Sequence, residues 1–197
     1  MQIVHDLKNQ LNGLKLYATF LRRRIEKSER PGDEQETIGK LISGLDRAAE
    51  DLSSIVKYGQ PVELKKQPGV EVDKILRGVC ASVNEAGSRI VLDSDAVHGN
   101  LDLFKLTDAF KWLCAGALKH KHNVDEAGEI FVTTKSSDDA QAVIEFSGLR
   151  ELDHDPFRSF AGSDEIKLAL AAKIIEAHGG SAKFLDRKFV VELPLSG

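Results

Sequence analysis

The chain has 197 residues, of which 42% are hydrophobic and 29% charged, and its net charge is −4. This length and composition are typical of a globular protein with one sizeable core or two small ones, and they exclude a disordered tail, a collagen-like repeat and a coiled-coil rod. The negative charge argues against a nucleic-acid-binding protein. No apolar run approaches the ~20 residues that cross a bilayer, so we expect no membrane span in this chain and a cytoplasmic protein.

Residues 1–60 are predicted to form an antiparallel helical hairpin. Apolar residues recur every three or four positions in two stretches, which is the spacing of a stripe on one helix face. Residues 30–33, Arg-Pro-Gly-Asp, separate the stretches because Pro and Gly both resist helical continuation. The first stripe comprises Val4, Leu7, Leu11, Leu14, Ala18, Leu21 and Ile25, and the second comprises Ile38, Ile42, Leu45, Ala49, Leu52 and Val56.

The apolar stripes of this hairpin need a cover, because two helices cannot enclose a core. Each Leu or Ile would gain ~1.5–3 kcal/mol on burial. The simplest cover is a second copy of the hairpin, which predicts a homodimer with a four-helix bundle at its centre. The alternative is that the hairpin packs on the second unit of its own chain.

Residues 61–197 are predicted to form a second domain, an α/β sandwich with helices on one face of a mixed sheet, so the whole chain is α+β. Segments with helical spacing are followed by segments that alternate as strands do. Cys80 and Cys114 both fall in apolar helical segments, which indicates reduced core residues. The predicted helices are 73–85, 102–119 and 164–177, and the predicted strands are 88–93, 129–134, 142–146, 182–185 and 189–193.

The first helix contains the string His5-Asp6-Leu7-Lys8-Asn9-Gln10-Leu11. His5 and Asn9 are one turn apart and face solvent if Leu7 faces the partner helix. An exposed imidazole is a good nucleophile toward phosphorus: Asp6 can accept the proton of one ring nitrogen while the other attacks. The amide of Asn9 can orient a water molecule or a phosphoryl oxygen. Taken alone, however, one exposed histidine is more often ordinary solvated surface.

The string resembles the H-box of the sensor histidine kinases and histidine phosphotransferases, His-Glu/Asp-x-x-Asn/Thr-Pro-Leu, with Gln10 in place of the proline. The resemblance implies that His5 is phosphorylated, that Asp6 assists the kinase step and that Asn9 serves the reverse, phosphatase reaction. It also implies a dimerisation and phosphoacceptor hairpin in residues 1–60. Only four residues precede His5, so the chain is either a fragment of a longer sensor protein or a naturally short bundle.

Residues 61–197 resemble the ATP-binding domain of the same family, a sandwich of the Bergerat-like type. The clearest match is the segment 171–180, which ends in His178-Gly179-Gly180. That ending also has a purely structural interpretation, because Gly179 suits a left-handed helix end and His178 complements the helix dipole. The segment therefore argues for the fold and not for an activity.

The Mg²⁺-binding helix of that family is altered in this sequence. The family holds Mg²⁺ with Asn side chains, and the two matching positions here are Trp112 and Gly116, which offer no side-chain oxygen to a hard cation. Lys119 still fits the family pattern. The resemblance therefore implies a degenerate nucleotide site, and we expect no metal site in this chain.

The two glycine-rich loops of the family are reduced as well. Phe146 and Gly148 stand where the family has Asp-x-Gly-x-Gly, so the Asp that would read the adenine amino group is missing. The second loop retains Gly162, which is followed by carboxylates that would repel a triphosphate. We therefore expect that neither ATP nor Mg²⁺ is a cofactor of this chain. His120, Lys121 and His122 are interpreted as solvated surface.

These features predict a phosphorelay protein of two-component signalling, a histidine phosphotransferase. His5 would take a phosphoryl group from the aspartate of one response-regulator receiver domain and pass it to another, with Mg²⁺ supplied by the receiver. Two alternatives stay open: a divergent ATP-dependent kinase that autophosphorylates His5, and a non-enzymatic scaffold. The predicted docking surface on the exposed side of the first helix comprises Lys8, Asn9, Asn12, Lys15 and Leu16.

Overall fold

The computed structural model describes residues 2–26, 32–85, 89–122, 129–137, 140–160 and 162–195. The chain divides into two compact units, Met1–Gln60 and Pro61–Gly197. No helix in these ranges is long and apolar enough to cross a membrane. Unit 1 consists of α1 (Gln2–Glu26) and α2 (Gly32–Gly59). The described elements of unit 2 are β1 (Gln67–Glu71), α3 (Val72–Glu85), β2 (Ile90–Ser94), β3 (His98–Leu101), α4 (Leu103–Lys119), β4 (Ile130–Ser137), β5 (Gln141–Ser147), α5 (Ser163–Ala177), β6 (Ser181–Leu185) and β7 (Lys188–Pro194).

The two predicted helices of unit 1 are present and pack along each other. Ala18 and Ile42, one from each apolar stripe, are buried. Helix α2 begins at Gly32, so two of the four residues predicted to break the helix are instead its first residues. Leu14 and Leu21 of the first predicted stripe stay exposed, and so do Tyr17 on α1 and Leu41 and Ile55 on α2.

The main sheet of unit 2 has five strands in the order β2-β4-β5-β7-β6. Strands β2 and β4 are parallel, and the other neighbours are antiparallel. Alternate residues of β5 are buried, and α4, whose Phe110 and Leu113 are fully buried, packs between α3 and α5. Cys80 and Cys114 are buried free thiols, as predicted. The predicted α+β architecture with a mixed sheet is therefore confirmed.

Strands β1 and β3 form a separate two-stranded antiparallel sheet that the sequence analysis did not predict. The pattern of β1 concealed it, because the strand contains Pro68 and Gly69 and only Val70 is buried. Gly69 has a φ of +73°, a backbone conformation that L side chains rarely adopt. This strand depends on pairing with β3 and not on an alternation that can be read locally.

Candidate functional site

The predicted phosphoacceptor is the fourth residue of α1. His5 and Asn9 are four positions apart on one helix, so the two backbone positions lie on the same side. The side chain of Asn9 is exposed. The side chains of His5, Asp6 and Lys8 lie outside the described residues, and the roles assigned to these three residues therefore stay predictions.

A line of exposed side chains continues from Asn9 along the same side of α1. Asn12 and Leu16 follow at helical spacing, and Phe20 lies one turn beyond Leu16. Leu16 is 56% exposed and Phe20 is 58% exposed. Phe20 was not among the residues predicted from the sequence, although its spacing of four from Leu16 was a readable signal. Packing within the hairpin therefore covers neither of these two large apolar side chains.

Lys15 has a different environment from the other predicted docking residues. Its Nζ lies 2.5 Å from Asp46 Oδ1 on α2, and the two side chains are both about half exposed. An exposed ion pair of this kind contributes roughly 1 kcal/mol or less to stability. The structure therefore gives Lys15 a partner on the adjacent helix, whereas the sequence analysis treated it as a cation available for docking.

The two positions that match the family's magnesium-binding helix lie on α4 against the core. Trp112 is half buried and packs against the hydrophobic core. A Cβ atom added to Gly116 would lie 2.6 Å from Leu168 Cδ2 and 2.9 Å from Leu168 Cδ1, and Leu168 is fully buried on α5. At the end of α4, Lys119 Nζ lies 3.1 Å from Asp164 Oδ2. The space beside Gly116 is therefore occupied by an apolar side chain of the neighbouring helix.

The residues at the positions that match the family's glycine-rich loops are each explained by their local packing or backbone conformation. Phe146 is fully buried in β5, opposite Phe189 of β7. Gly148 has a φ of +92°, and a Cβ there would lie 2.7 Å from the carbonyl oxygen of Glu129. Gly162 precedes α5 in an extended conformation and, because it has no side chain, does not cap the helix with a side-chain hydrogen bond. The first turn of α5 contains Asp164 and Glu165, whose negative charges stabilise the positive end of the helix dipole.

His120, at the end of α4, corrects one interpretation of the sequence. It is only 2% exposed, whereas the segment 120–122 was interpreted as solvated surface. Neither ring nitrogen has a hydrogen-bond partner within the described ranges. Burial, together with the positive charges of Arg150 and Lys119, holds the pKa of His120 below its ordinary value.

Glu165 connects α5 with the preceding loop. This buried carboxylate accepts a hydrogen bond from Ser159 Oγ, and its Oε1 lies 3.5 Å from His154 Nε2. His154 is itself about half exposed. Among the described residues, no three His, Cys, Asp or Glu side chains are arranged to hold a metal ion.

His178, the histidine of the segment 171–180, joins two helices from inside the protein. Its Nε2 accepts a hydrogen bond from the backbone N–H of Asp102 at 3.0 Å, and its Nδ1 donates to the carbonyl oxygen of Ile174 at 2.8 Å. Burial lowers the pKa of His178, so the ring is neutral near pH 7. The side chain of Asp102 in turn caps α4 by accepting a hydrogen bond from the backbone N–H of Lys105, and it accepts a second hydrogen bond from the backbone N–H of Lys65. His178 therefore acts as a neutral connector and not as a cation at the helix end.

A cavity of about 620 Å³ lies elsewhere in unit 2, between β1, α3 and α4. None of the residues predicted for the degenerate nucleotide site lines it. Its lining includes Val70, Ile75, Val79, Leu103, Thr107 and Lys111.

No family model and no curated protein matches the sequence, but solved structures match the fold. A structure titled full-length ShkA in complex with AMPPNP is similar with a TM-score of 0.70 and 20% identity, over 98% of this chain and 44% of the ShkA chain. The Acinetobacter baumannii histidine kinase AdeS is similar with a TM-score of 0.64 and 16% identity, over 97% of this chain and 98% of that one. The mycobacterial sensor histidine kinase MprB matches 66% of this chain with a TM-score of 0.52 and 18% identity. Identities this low establish a likeness of fold.

Proposed function

We propose that this chain, which has the fold of the histidine kinases, is a histidine phosphotransferase of two-component signalling. His5 takes the phosphoryl group from a phospho-aspartate of one receiver domain and passes it to the aspartate of another. In the first step the P–N bond to the imidazole forms as the acyl phosphate P–O bond breaks, and the aspartate leaves as a carboxylate. Asp6 holds the proton of the second ring nitrogen, which keeps the attacking lone pair available.

The observation that carries this proposal over the kinase alternative is the packing at Gly116. Leu168 occupies the space into which a magnesium-binding Asn side chain would extend, so an Asn at this position would have to displace the buried Leu168 side chain. At the start of α5, Asp164 and Glu165 provide negative charge where a phosphate group would otherwise bind. Transfer between receivers avoids both obstacles, because the receiver supplies the Mg²⁺.

The exposed side of α1 supports receiver domains as the partners. Asn9, Asn12, Leu16 and Phe20 form a continuous line of polar and apolar side chains along one helix side. An interface commonly has such an apolar centre with polar groups around it. We propose this line as the docking surface, with Phe20 added to the residues that the sequence identified and Lys15 serving instead to hold α1 to α2.

The divergent ATP-dependent kinase is the second candidate function. It is favoured by the likeness to solved histidine kinases, one of which contains AMPPNP. Under this alternative the γ-phosphate of ATP would reach His5 through a nucleotide site that lacks the family's Asn, Asp and most of its Gly residues.

The experiment that separates the candidates supplies phosphorus from two labelled donors. The full chain is mixed with a panel of phosphorylated receiver domains and, separately, with γ-labelled ATP and Mg²⁺. We expect label on the protein from one or more receivers and none from ATP. Label from ATP alone would establish the kinase alternative, and label from neither donor would favour a non-enzymatic scaffold.

The exposed apolar face of the hairpin supports a homodimer as part of the same proposal. Leu21, on the α1 side of this face, is 51% exposed, and Leu41 is similarly exposed on α2. We expect the double variant Leu21→Glu, Leu41→Glu to sediment as a monomer while its circular dichroism stays helical, because buried carboxylates oppose association. Leu16→Glu is the matched control: Leu16 is similarly exposed, at 56%, but lies on the other side of α1 from Leu21, so this variant should stay dimeric. A monomeric wild-type protein would contradict the dimer.

A further inference from the structure

The cavity between β1, α3 and α4 has no role in the proposed phosphotransfer reaction. The phosphoacceptor lies on α1 in unit 1, whereas every wall of this cavity belongs to unit 2. Its volume is about 620 Å³. Small-molecule sites in proteins have volumes of about 300–1,000 Å³ and are mostly apolar, with a few polar groups that orient the ligand. The size of the cavity is therefore that of a small-molecule site.

Two glycines leave part of this cavity unfilled. Gly69 of β1 and Gly78 of α3 both line it, and a Cβ atom added to either would have no other atom within 4 Å. Ile75 and Ser82 line the cavity one turn before and one turn after Gly78, so a side chain at position 78 would extend into it. A glycine inside a helix is less favourable than an alanine, and no close packing requires one here. The missing side chain at position 78 therefore contributes to the open volume.

The floor of the cavity is apolar. Val70, Ile75 and Val79 are buried side chains that line it from β1 and α3, and Leu103 of α4 is 38% exposed beside them. A ligand with an apolar body would remove this surface from water. The hydroxyl of Thr107 donates a hydrogen bond to the carbonyl oxygen of Leu103 at 2.7 Å, and its oxygen can still accept one from a ligand.

The charges on the lining do not balance. Lys74 Nζ lies 2.8 Å from both carboxylate oxygens of Glu71, so these two residues neutralise each other. Lys111 lines the cavity from α4, is exposed, and makes no ion pair with any described residue. Asp108 lies one turn before Lys111 but outside the lining, and the described contacts include no ion pair between the two. The lining therefore presents one ammonium group that no carboxylate binds.

The edge of β1 does not suit an added peptide strand as the occupant. Among the described strands β1 pairs with β3 alone, so its other edge has no strand beside it. However, Pro68 has no N–H to donate, and the backbone of Gly69 is not extended, with a φ of +73°. A peptide that adds a strand needs successive backbone donors and acceptors on the edge that it joins. A small molecule needs only the apolar floor and the one cation.

We propose that this cavity binds a small organic acid with an apolar body and a single negative charge. The carboxylate accepts hydrogen bonds from Lys111 Nζ, and the body lies against Leu103 and the buried side chains between α3 and α4. Gly78 leaves room for the body beside α3. Because the acid contacts both helices and binds only the folded protein, its binding stabilises unit 2.

A matched pair of fluorescent compounds tests this site in the full chain. Dansylglycine has a carboxylate and a flat apolar body, and dansylglycinamide has the same body without the charge. Trp112, the one tryptophan of the chain, follows Lys111 on α4 and excites a bound dansyl group by energy transfer. We expect saturable binding of both compounds, with the acid bound about tenfold more tightly than the amide. In Lys111→Met this difference should disappear while the amide still binds.

A second variant tests the space beside α3. Gly78→Leu should weaken the binding of both compounds by about tenfold or more, because the new side chain fills the cavity. The fold should persist, since no atom is close to the new Cβ and leucine favours a helix. Gly44→Leu is the matched control: Gly44 lies inside α2 of unit 1 with the same open space, so this variant should bind both compounds as the wild type does.

Several results would overturn the site. They are the failure of both compounds to bind, equal binding of the acid and the amide, and a preference for the acid that survives Lys111→Met. Undiminished binding by Gly78→Leu would place the compounds elsewhere on the protein. Binding that weakens as the protein concentration rises would show instead that a second copy of the chain covers the cavity. None of these measurements involves phosphotransfer, so the ligand site and the proposed function fail separately.

Discussion

His5→Ala is expected to lose label transfer from phosphorylated receiver domains by about a thousandfold or more, because removal of an attacking nucleophile typically costs at least this much. In the proposed reaction the imidazole of His5 forms the P–N bond directly, so a neighbouring side chain cannot replace it. The measurement is the initial rate at which label moves from a receiver to the protein. The P–N bond supplies a second check, since label on histidine is released by mild acid and resists base.

His98→Ala is the matched control for this variant. His98 is an exposed histidine in β3 of unit 2, outside the hairpin, so its loss should leave the transfer rate unchanged. Asn9→Ala tests the separate role that the resemblance implies: label should still arrive on His5, while water-dependent loss of phosphate should slow. Undiminished labelling of His5→Ala would refute the proposed phosphoacceptor.

Gly116→Asn is expected to destabilise unit 2 by about 1–3 kcal/mol and to leave ATP binding unrestored. The variant returns the side chain that the family uses for Mg²⁺, but its Cβ would lie 2.6 Å from Leu168 Cδ2. Leu168 is fully buried, so its side chain has little room to move. Chemical denaturation measures the free energy of unfolding, and titration with a fluorescent ATP analogue measures nucleotide binding.

Two alanine variants isolate the steric cause. Gly78 lies inside α3 with no atom within 4 Å of an added Cβ, so Gly78→Ala should stabilise the protein by about 0.5–1 kcal/mol through helix propensity. Gly116→Ala has the same propensity gain but meets Leu168, and we expect a net loss. In the double variant Gly116→Ala, Leu168→Ala the shorter side chain at 168 removes this close contact. The double variant should therefore be less destabilised than the sum of the two single variants, and the difference is the coupling energy between the two sites. ATP binding by Gly116→Asn would contradict the account.

Features that depend on a few neighbouring residues were readable from the chain alone. The spacing of apolar residues predicted α1, α2 and the helices of unit 2, because a helix buries one stripe with a period close to 3.6 residues. The H-box string selected His5, Asp6 and Asn9 as candidates, with His5 and Asn9 one helical turn apart, and the roles of these residues stay predictions. The replacements at Trp112 and Gly116 were visible as residue types.

Features that depend on distant segments came only with the folded protein. Gly116 was readable as a Gly where the resembling family has Asn, but its packing against Leu168 requires α4 and α5 to be side by side. His120 belongs to a charged string that is typical of surface, and it is nevertheless buried at the end of α4, where its backbone carbonyl accepts a hydrogen bond from the distant Arg150 N–H. Two further features also join segments that are distant in the sequence: the pairing of β1 with β3 and the contact of Lys15 with Asp46. Local periodicity and side-chain chemistry are encoded within about one helical turn, whereas burial and ion pairing are decided by whichever remote segment the fold brings into contact.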